Sequence, residues 1–421
     1  MANSTVTPGP VTVDQDIDGQ LTSAFLFGTL DGANSTFMNY LNFTPGFAQV
    51  IEVIGTGFTY NQAGTEVTGG TISQINILKD FSGTLVNTGT FTNLAMNAAS
   101  LDAAVRNFQL TSDPAQWHAI FGLNNYNVSA SQWNLNFRGF AGDDTVQGGD
   151  GNDQFSDFDG GDIDLFNGGN GSDNVYVGKG VSTLNGGAGF DLASFLNLTS
   201  PTAVGMQINT TTGAYSSTSI AGISGTLINF DYITATNFND TINGRASAEW
   251  LVGEAGRDQI NGQAGNDHLN GGDGNDSLLG GDGNDIILGG IGNDVINGGI
   301  GNDQITGEGG GDTLAGGTGA DVFIYTDIAH SAPALRDRLT DFVHLTDDIR
   351  LTAIDANANA GGNQAFTFIG TSAFGGVAGQ LRYGISGANA VVSGDVNGDS
   401  VADFQILLNN VAVLSSLDFF L

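Results

Sequence analysis

The sequence predicts a mainly β protein. Its middle is a solenoid of very short parallel strands wound into a roll, with a β-rich module before it and a β capping domain after it. Three observations lead there. Glycine is the commonest residue, 66 of 421, without a collagen-like period of three. Acidic residues crowd residues 139–324, where 25 Asp and Glu stand against 3 Lys and Arg. From residue 235 to 323 the chain cuts without a gap into registers of nine.

The charge balance narrows the partners. The chain carries 44 acidic and 10 basic residues, a net charge of −34, and residues 139–324 supply −22 of it. Nucleic acid and anionic membranes both need a basic surface, so neither is an expected partner. Bound cations that neutralise carboxylates suit this balance. With 40% hydrophobic residues the chain is not a generic disordered acidic polymer. It contains no cysteine, which excludes a disulfide framework and thiolate chemistry. The first residues, MANSTVTPGPVTVDQDIDG, lack the basic and apolar regions of a signal peptide, and no apolar run approaches a membrane span.

The cleanest registers are GGDGNDSLL (271–279), GGDGNDIIL (280–288), GGIGNDVIN (289–297) and GGIGNDQIT (298–306). GEGGGDTLA (307–315) and GGTGADVFI (316–324) follow them. Upstream stand ATNFNDTIN (235–243), GRASAEWLV (244–252), GEAGRDQIN (253–261) and GQAGNDHLN (262–270). A more degenerate block occupies 139–194: GFAGDDTVQ, GGDGNDQFS, DGGDIDLFN, GGNGSDNVY, VGKGVSTLN and GGAGFDLAS, with residues 157–158 as extras.

Each position has a physical task. Glycines at positions 1, 2 and 4 permit a tight turn that aims carbonyl oxygens at a cation. Aspartate at position 6 adds carboxylate oxygens, and Ca²⁺ takes six to eight oxygen ligands. Positions 7–9 make a short strand with position 8 inward: Ile242, Leu251, Ile260, Leu269, Leu278, Ile287, Ile296, Ile305, Leu314 and Phe323. Two nonads per turn bring every second register together. A Gly-rich flexible linker would not hold Asp at position 6 and an aliphatic at position 8 through successive registers.

These registers resemble the RTX (repeats-in-toxin) family, whose consensus is GGxGxDxUx, over about 140 residues in two blocks. The resemblance implies a right-handed parallel β-roll, several Ca²⁺ ions and export by type I secretion machinery to an extracellular or cell-surface location. It also implies the side-chain ligands: Asp144, Asp153, Asp173 and Asp191 in the first block, then Asp240, Asp258, Asp267, Asp276, Asp285, Asp294, Asp303, Asp312 and Asp321. Glu249 replaces aspartate and Ser182 leaves a register without a carboxylate, so lost or weakened sites are expected there.

The flanks are less regular. Residues 195–234 interrupt the array with an apolar, Ser/Thr-rich stretch that reads as one or two hairpins looped out of the roll. In 325–421, RDRLTDFVHLTDDIRL, QAFTFIGTSAFGGVAGQLRY and VSGDVNGDSVADFQILL resemble the C-terminal domain of serralysin-type secreted proteins. That resemblance implies a cap on the roll and a secretion signal at Asp418–Leu421, an acid followed by three apolar residues. Asp395, Asn397, Asp399 and Asp403 have the alternate-oxygen spacing of a calcium loop, without the glycine and glutamate of an EF-hand; an ion or a solvated acidic turn fits equally. Asp14, Asp16 and Asp18 share the spacing, but Phe25 stands where the bidentate glutamate belongs, which favours a turn. In 1–138, the runs 49–60 and 69–78 read as strands, and 98–108 and 114–121 as short helices.

No enzyme signature stands out. His118, His268, His330 and His344 are isolated and none lies in HExxH. GISGT (222–226) and GISGA (384–388) lack the second glycine of GxSxG, and there is no P-loop. The expected function is a secreted, calcium-binding structural or surface component: an S-layer, matrix or filament protein capable of self-assembly. The alternative is an adhesin or glycan binder that contacts polysaccharide through residues 1–138, and behind it a secreted hydrolase whose site in residues 1–138 matches no familiar motif.

Overall fold

A nonad gives its chain one short strand, such as the six residues Ser277–Asp282, and one inward apolar side chain, so no register can bury its own apolar face. Stacking solves this, and the strand pairings show how. The computed structural model describes residues 143, 145–156, 163–199, 204–220 and 222–421, and before them the backbone of seven strands between residues 24 and 138. The chain divides into two units, residues 1–191 with 222–229 and residues 192–221 with 230–421.

The first unit opens with an antiparallel series: Ala24–Phe27, Thr36–Thr44, Phe47–Tyr60, Val67–Asp80, Leu85–Asn97 and Asn127–Ala130 pair in succession. The strands expected at 49–60 and 69–78 are therefore present; the helices expected at 98–108 and 114–121, and the Asp14–Asp18 turn, lie outside the described residues. Asn127–Ala130 then pairs in parallel with Thr145–Asp150, and the pattern changes to a roll. Thr145–Asp150, Leu165–Asn170, Gly180–Ala188 and Ile223–Ile228 form one parallel ladder, and Asn136–Arg138, Gln154–Ser156 and Asn174–Tyr176 form the other.

In the second unit both ladders run with a strict 18-residue step. One passes through Asn239–Asn243, Gln259–Ala264, Ser277–Asp282, Val295–Ile300 and Thr313–Thr318. The other passes through Tyr232–Thr234, Trp250–Val252, His268–Gly274, Ile286–Ile291, Gln304–Gly309 and Val322–Ile324. Position 8 is the core throughout: Ile260 faces Leu278 and Leu278 faces Ile296, each at most 2% exposed. The core continues past the repeats, because Arg338–Leu339 pairs with Thr313–Leu314 and Asp348–Arg350 pairs with Val322–Ile324. An antiparallel set, Gln380–Ser386, Asn389–Asp395 and Phe404–Leu408, joins the first ladder through Leu339, and Phe419–Phe420 joins the second through Ile349.

Residues 195–234 are only partly a looped-out insertion. One hairpin is present, Val204–Asn209 with Ala214–Ser216. Its first strand also pairs in parallel with Asn239–Asn243, and Tyr232–Thr234 is an ordinary rung between Leu192–Ser194 and Trp250–Val252. The apolar composition that suggested an insertion belongs to rungs built without the glycine turn. Among the described residues the helical elements are two short 3₁₀ turns, Ile328–Ser331 and Ser416–Asp418.

Candidate metal centre

The sixth-position aspartates of the second unit are buried although each carries an ionisable group: Asp258, Asp267 and Asp303 are 0% exposed, and Asp276, Asp285, Asp294, Asp312 and Asp321 at most 2%. Each uses its two oxygens differently. Oδ1 accepts the backbone N–H of the acid 18 residues earlier. Asp258 thus serves Asp240, Asp276 serves Asp258, Asp294 serves Asp276 and Asp312 serves Asp294, at 2.7–2.9 Å. On the opposite flank Asp267 serves Glu249, Asp285 serves Asp267, Asp303 serves Asp285 and Asp321 serves Asp303. Oδ2 of all eight is buried without a hydrogen-bond partner. A native fold rarely leaves one such oxygen, let alone a row of them, so the row calls for a ligand.

Desolvation sets the charge state of the ion-free row. Burial pushes Asp258 up to about 8, Asp267, Asp294 and Asp303 to about 7, and Asp312 to about 6; the backbone N–H bonds oppose this only in part. Asp276, Asp285 and Asp321 are raised for the same first reason. A divalent cation reverses that balance by stabilising the ionised carboxylates.

Position 1 shows what else surrounds the orphaned oxygen. A Cβ added to Gly271 would stand 2.5 Å from Asp276 Oδ2 and 2.5 Å from the carbonyl oxygen of Gly289; at Gly280 the distances are 2.3 Å to Asp285 Oδ2 and 2.5 Å to the Gly298 carbonyl. The two oxygens therefore lie within about 5 Å of each other, a span that an ion with Ca–O bonds of 2.3–2.6 Å bridges. Among the described residues no three His, Cys, Asp or Glu side chains gather into a metal-holding group. Backbone carbonyls must therefore supply much of any coordination shell, as expected of a hard cation.

The remaining expected ligands are placed as follows. In the first unit Asp173 Oδ1 accepts Asp153 N–H and Asp191 Oδ1 accepts Asp173 N–H, and all three are buried. Asp144 lies outside the described residues. Asp240 departs from its neighbours: Thr236 donates its N–H and hydroxyl to the carboxylate and Met206 donates its N–H, so neither oxygen is left over. Glu249 keeps the ladder bond to Asp267 but meets Arg245 and Thr210. The Asp395–Asp403 loop does bring its residues together, and they bond one another: Gly398 and Ser400 N–H donate to Asp395, Asp399 N–H to Asn397, Val401 N–H to Asp399, and Val396 N–H with Asn397 Nδ2 to Asp403.

Sequence reading missed four features. Asp337 extends one flank: its Oδ1 accepts Asp312 N–H at 2.8 Å, its buried Oδ2 makes no hydrogen bond of ordinary geometry although the buried Tyr325 hydroxyl interacts with the carboxylate, and burial pushes it up to about 8. Asp347 ends the other flank, with Oδ1 on Asp321 N–H and Oδ2 on Val343 N–H. The steps there are 25 and 26 residues, so a search at period nine passes over both. The fifth-position asparagines form a second ladder of opposite direction, in which Asn266, Asn275 and Asn284 accept the N–H of Asn284, Asn293 and Asn302. That signal was visible as the recurrent Asn before the Asp. Asp164, the buried sixth residue of 159–167, was also legible by register.

The RTX calcium-binding nonapeptide repeat matches residues 138–163 and, in overlapping segments, 229–323. No curated protein matches the chain. Solved structures similar to it include two subunits of a mannuronan C5-epimerase from Azotobacter vinelandii, AlgE6R3 and AlgE6R2. They are 21% and 18% identical, each covering 43% of this chain and 77% and 90% of their own, with TM-scores of 0.23 and 0.21. The extracellular lipase LipA from Serratia marcescens is 14% identical over 67% of this chain and 40% of its own, with a TM-score of 0.19. The array that carries the two aspartate ladders is therefore built of RTX calcium-binding nonapeptide repeats, and such repeats bind Ca²⁺.

Proposed function

We propose that the protein is an extracellular scaffold that folds on calcium, with a structural role at the cell surface or in a matrix. In this reading Asp153, Asp173, Asp191, Asp258, Asp267, Asp276, Asp285, Asp294, Asp303, Asp312 and Asp321 hold Ca²⁺ between successive turns, and Asp337 closes one flank. The roll spans 139–324, between the flanks 1–138 and 325–421. The observation that supports it best is the repeated pairing of one laddered and one orphaned carboxylate oxygen beside a carbonyl of the next turn.

RTX repeat proteins are generally secreted, and the family implies type I secretion. Among the described residues no helix is long and apolar enough to cross a membrane. Without ions the stacked carboxylates repel, and one core side chain per nine residues does not offset the entropy of ordering them. The chain stays open where calcium is scarce and winds where it is millimolar.

Two measurements test this. Metal-stripped protein should lack β signal by circular dichroism and recover it on adding CaCl₂; a native spectrum without metal overturns the calcium reading. Calcium-loaded protein should form ordered arrays or filaments visible by electron microscopy. Monomers that instead bind a polysaccharide resin, or turn over a substrate, overturn the scaffold role.

A further inference from the structure

Glu249 is the sixth residue of GRASAEWLV (244–252), 18 residues after Asp231 and 18 before Asp267. The strands that follow these acids pair in register, Tyr232 opposite Trp250 and Trp250 opposite His268. Asp231, Glu249 and Asp267 therefore occupy successive rungs of one flank. From Glu249 to Asp267 the ladder bond is ordinary, at 2.8 Å. From Asp231 to Glu249 the contact is of another kind, because a guanidinium stands between them.

Arg245 Nη2 lies 2.8 Å from Asp231 Oδ1, and Nε lies 3.6 Å from Glu249 Oε1, a buried oxygen that makes no hydrogen bond and faces the guanidinium charge where the other rungs face an ion. The Arg245 backbone N–H donates to Glu249 Oε2 at 2.6 Å, and the Thr210 hydroxyl adds a bond at 3.0 Å. Nε also donates to Ser247 Oγ at 2.7 Å, which fixes the plane of the fork. Arg245 occupies position 2, where Gly272, Gly281 and Gly290 have φ of +98° to +112°; Arg245 is not among the residues of positive φ. The turn has been rebuilt around the side chain. At Gly244 the added Cβ would still meet the Gly262 carbonyl at 2.5 Å, as at the calcium turns, but the acid oxygen beside it is Glu249 Oε2, already bonded.

We propose that Arg245 takes the place of a calcium ion between Asp231 and Glu249, making a metal-free clasp partway along this flank, ahead of the regular calcium rungs; the inference rests on the reading that the orphaned aspartates of the later rungs hold Ca²⁺. A guanidinium is permanently charged and covalently tethered, so it cannot dissociate when calcium is low. Glutamate suits it better than aspartate, because the bridging group is larger than an ion and needs a carboxylate of longer reach. The opposite flank likewise has a rung without a metal, since Thr236 and Met206 satisfy Asp240. On both flanks the regular calcium rungs thus follow a rung whose acid is met by protein groups, so each stacks on an ordered predecessor.

The full chain tests this with calcium titrations followed by far-UV circular dichroism and with bound metal counted after equilibrium dialysis. Arg245→Gln should raise the calcium midpoint about threefold to tenfold, because two acids then face each other without a cation. The double variant Arg245→Gly, Glu249→Asp restores the repeat pattern and should bind one more calcium per chain than the wild type. A wild-type midpoint in the first variant together with wild-type stoichiometry in the second overturns the clasp. If Arg245→Gln does not fold, the stoichiometry of the double variant decides. Failure of the wild type itself to take up calcium would instead remove the reading on which the clasp rests.

Discussion

Asp285 and Asp303 share one hydrogen bond, 2.8 Å from the Asp285 N–H to Asp303 Oδ1, while Oδ2 of each is buried with no partner. In the proposed calcium-loaded roll one carboxylate thus has two separable jobs, ordering the backbone of the previous turn and facing a cation. Substitutions can part them.

Asp285→Asn keeps an oxygen for the ladder but replaces the ion-facing oxygen with an amide. It should raise the calcium needed for folding about tenfold or more and make the transition less steep. Asp240→Asn should shift the midpoint far less, since Thr236 already occupies that carboxylate. Circular dichroism titrations in the same buffer compare them; equal midpoints would show that the orphaned oxygens do not coordinate metal.

Asp337→Asn should remove one bound calcium although it lies outside the nonapeptide register, whereas Asp347→Asn should remove none, because Val343 already claims its second oxygen. Metal analysis of dialysed protein reads this directly. Unchanged stoichiometry in the Asp337 variant would end the flank at Asp312.

Acidity should act in opposite directions with and without calcium. In the metal-free roll burial raises Asp258 to about 8 and Asp267, Asp294 and Asp303 to about 7, against about 3.9 in an unfolded chain. The folded form therefore binds more protons, so this contribution is fully present below about pH 4 and is lost as pH rises through about 7 to 8. Metal-stripped protein should gain β signal between pH 8 and about 4.5. With calcium present, protons compete for the same oxygens, and the calcium midpoint should rise over that range. A chelated spectrum that does not change with pH would contradict the buried-carboxylate account.

Two glycines of the regular block should differ sharply. Gly283 has φ +148° and an added Cβ would meet the Gly265 carbonyl at 1.6 Å, so Gly283→Ala should prevent stacking of that turn. Gly309 has nothing within 4 Å of the added Cβ, so Gly309→Ala should change stability by no more than about 0.5 kcal/mol. Thermal melts in saturating calcium separate the two.

The array was legible because its chemistry repeats at the spacing at which its turns touch. Positions 6 and 8 recur every nine residues, and both prove to be the buried ones, Asp276 and Leu278 for example. What escaped depends on contacts that share no period. Thr236 claims Asp240 from four residues away, Arg245 reaches back to Asp231 across 14, and Asp337 enters the ladder after a 25-residue excursion. Residues 204–234 hid their rungs because Ile233 and Ile208 fill the core without the glycine turn that marks a nonad.

The strands themselves leave two side chains of every nonad pointing outward, and nothing in the ladder constrains them. Along one face the seventh positions run Ser277, Val295, Thr313; along the other they run Tyr232, Trp250, His268, Ile286, Gln304, Val322, with the Trp250 and His268 rings stacked at 4.5 Å. Consecutive letters of these rows stand one strand spacing apart, about 4.8 Å. The interior of the roll is thus fixed text and its exterior is a blank margin ruled at molecular intervals, on which new chemistry can be written one residue per line without disturbing a single ion.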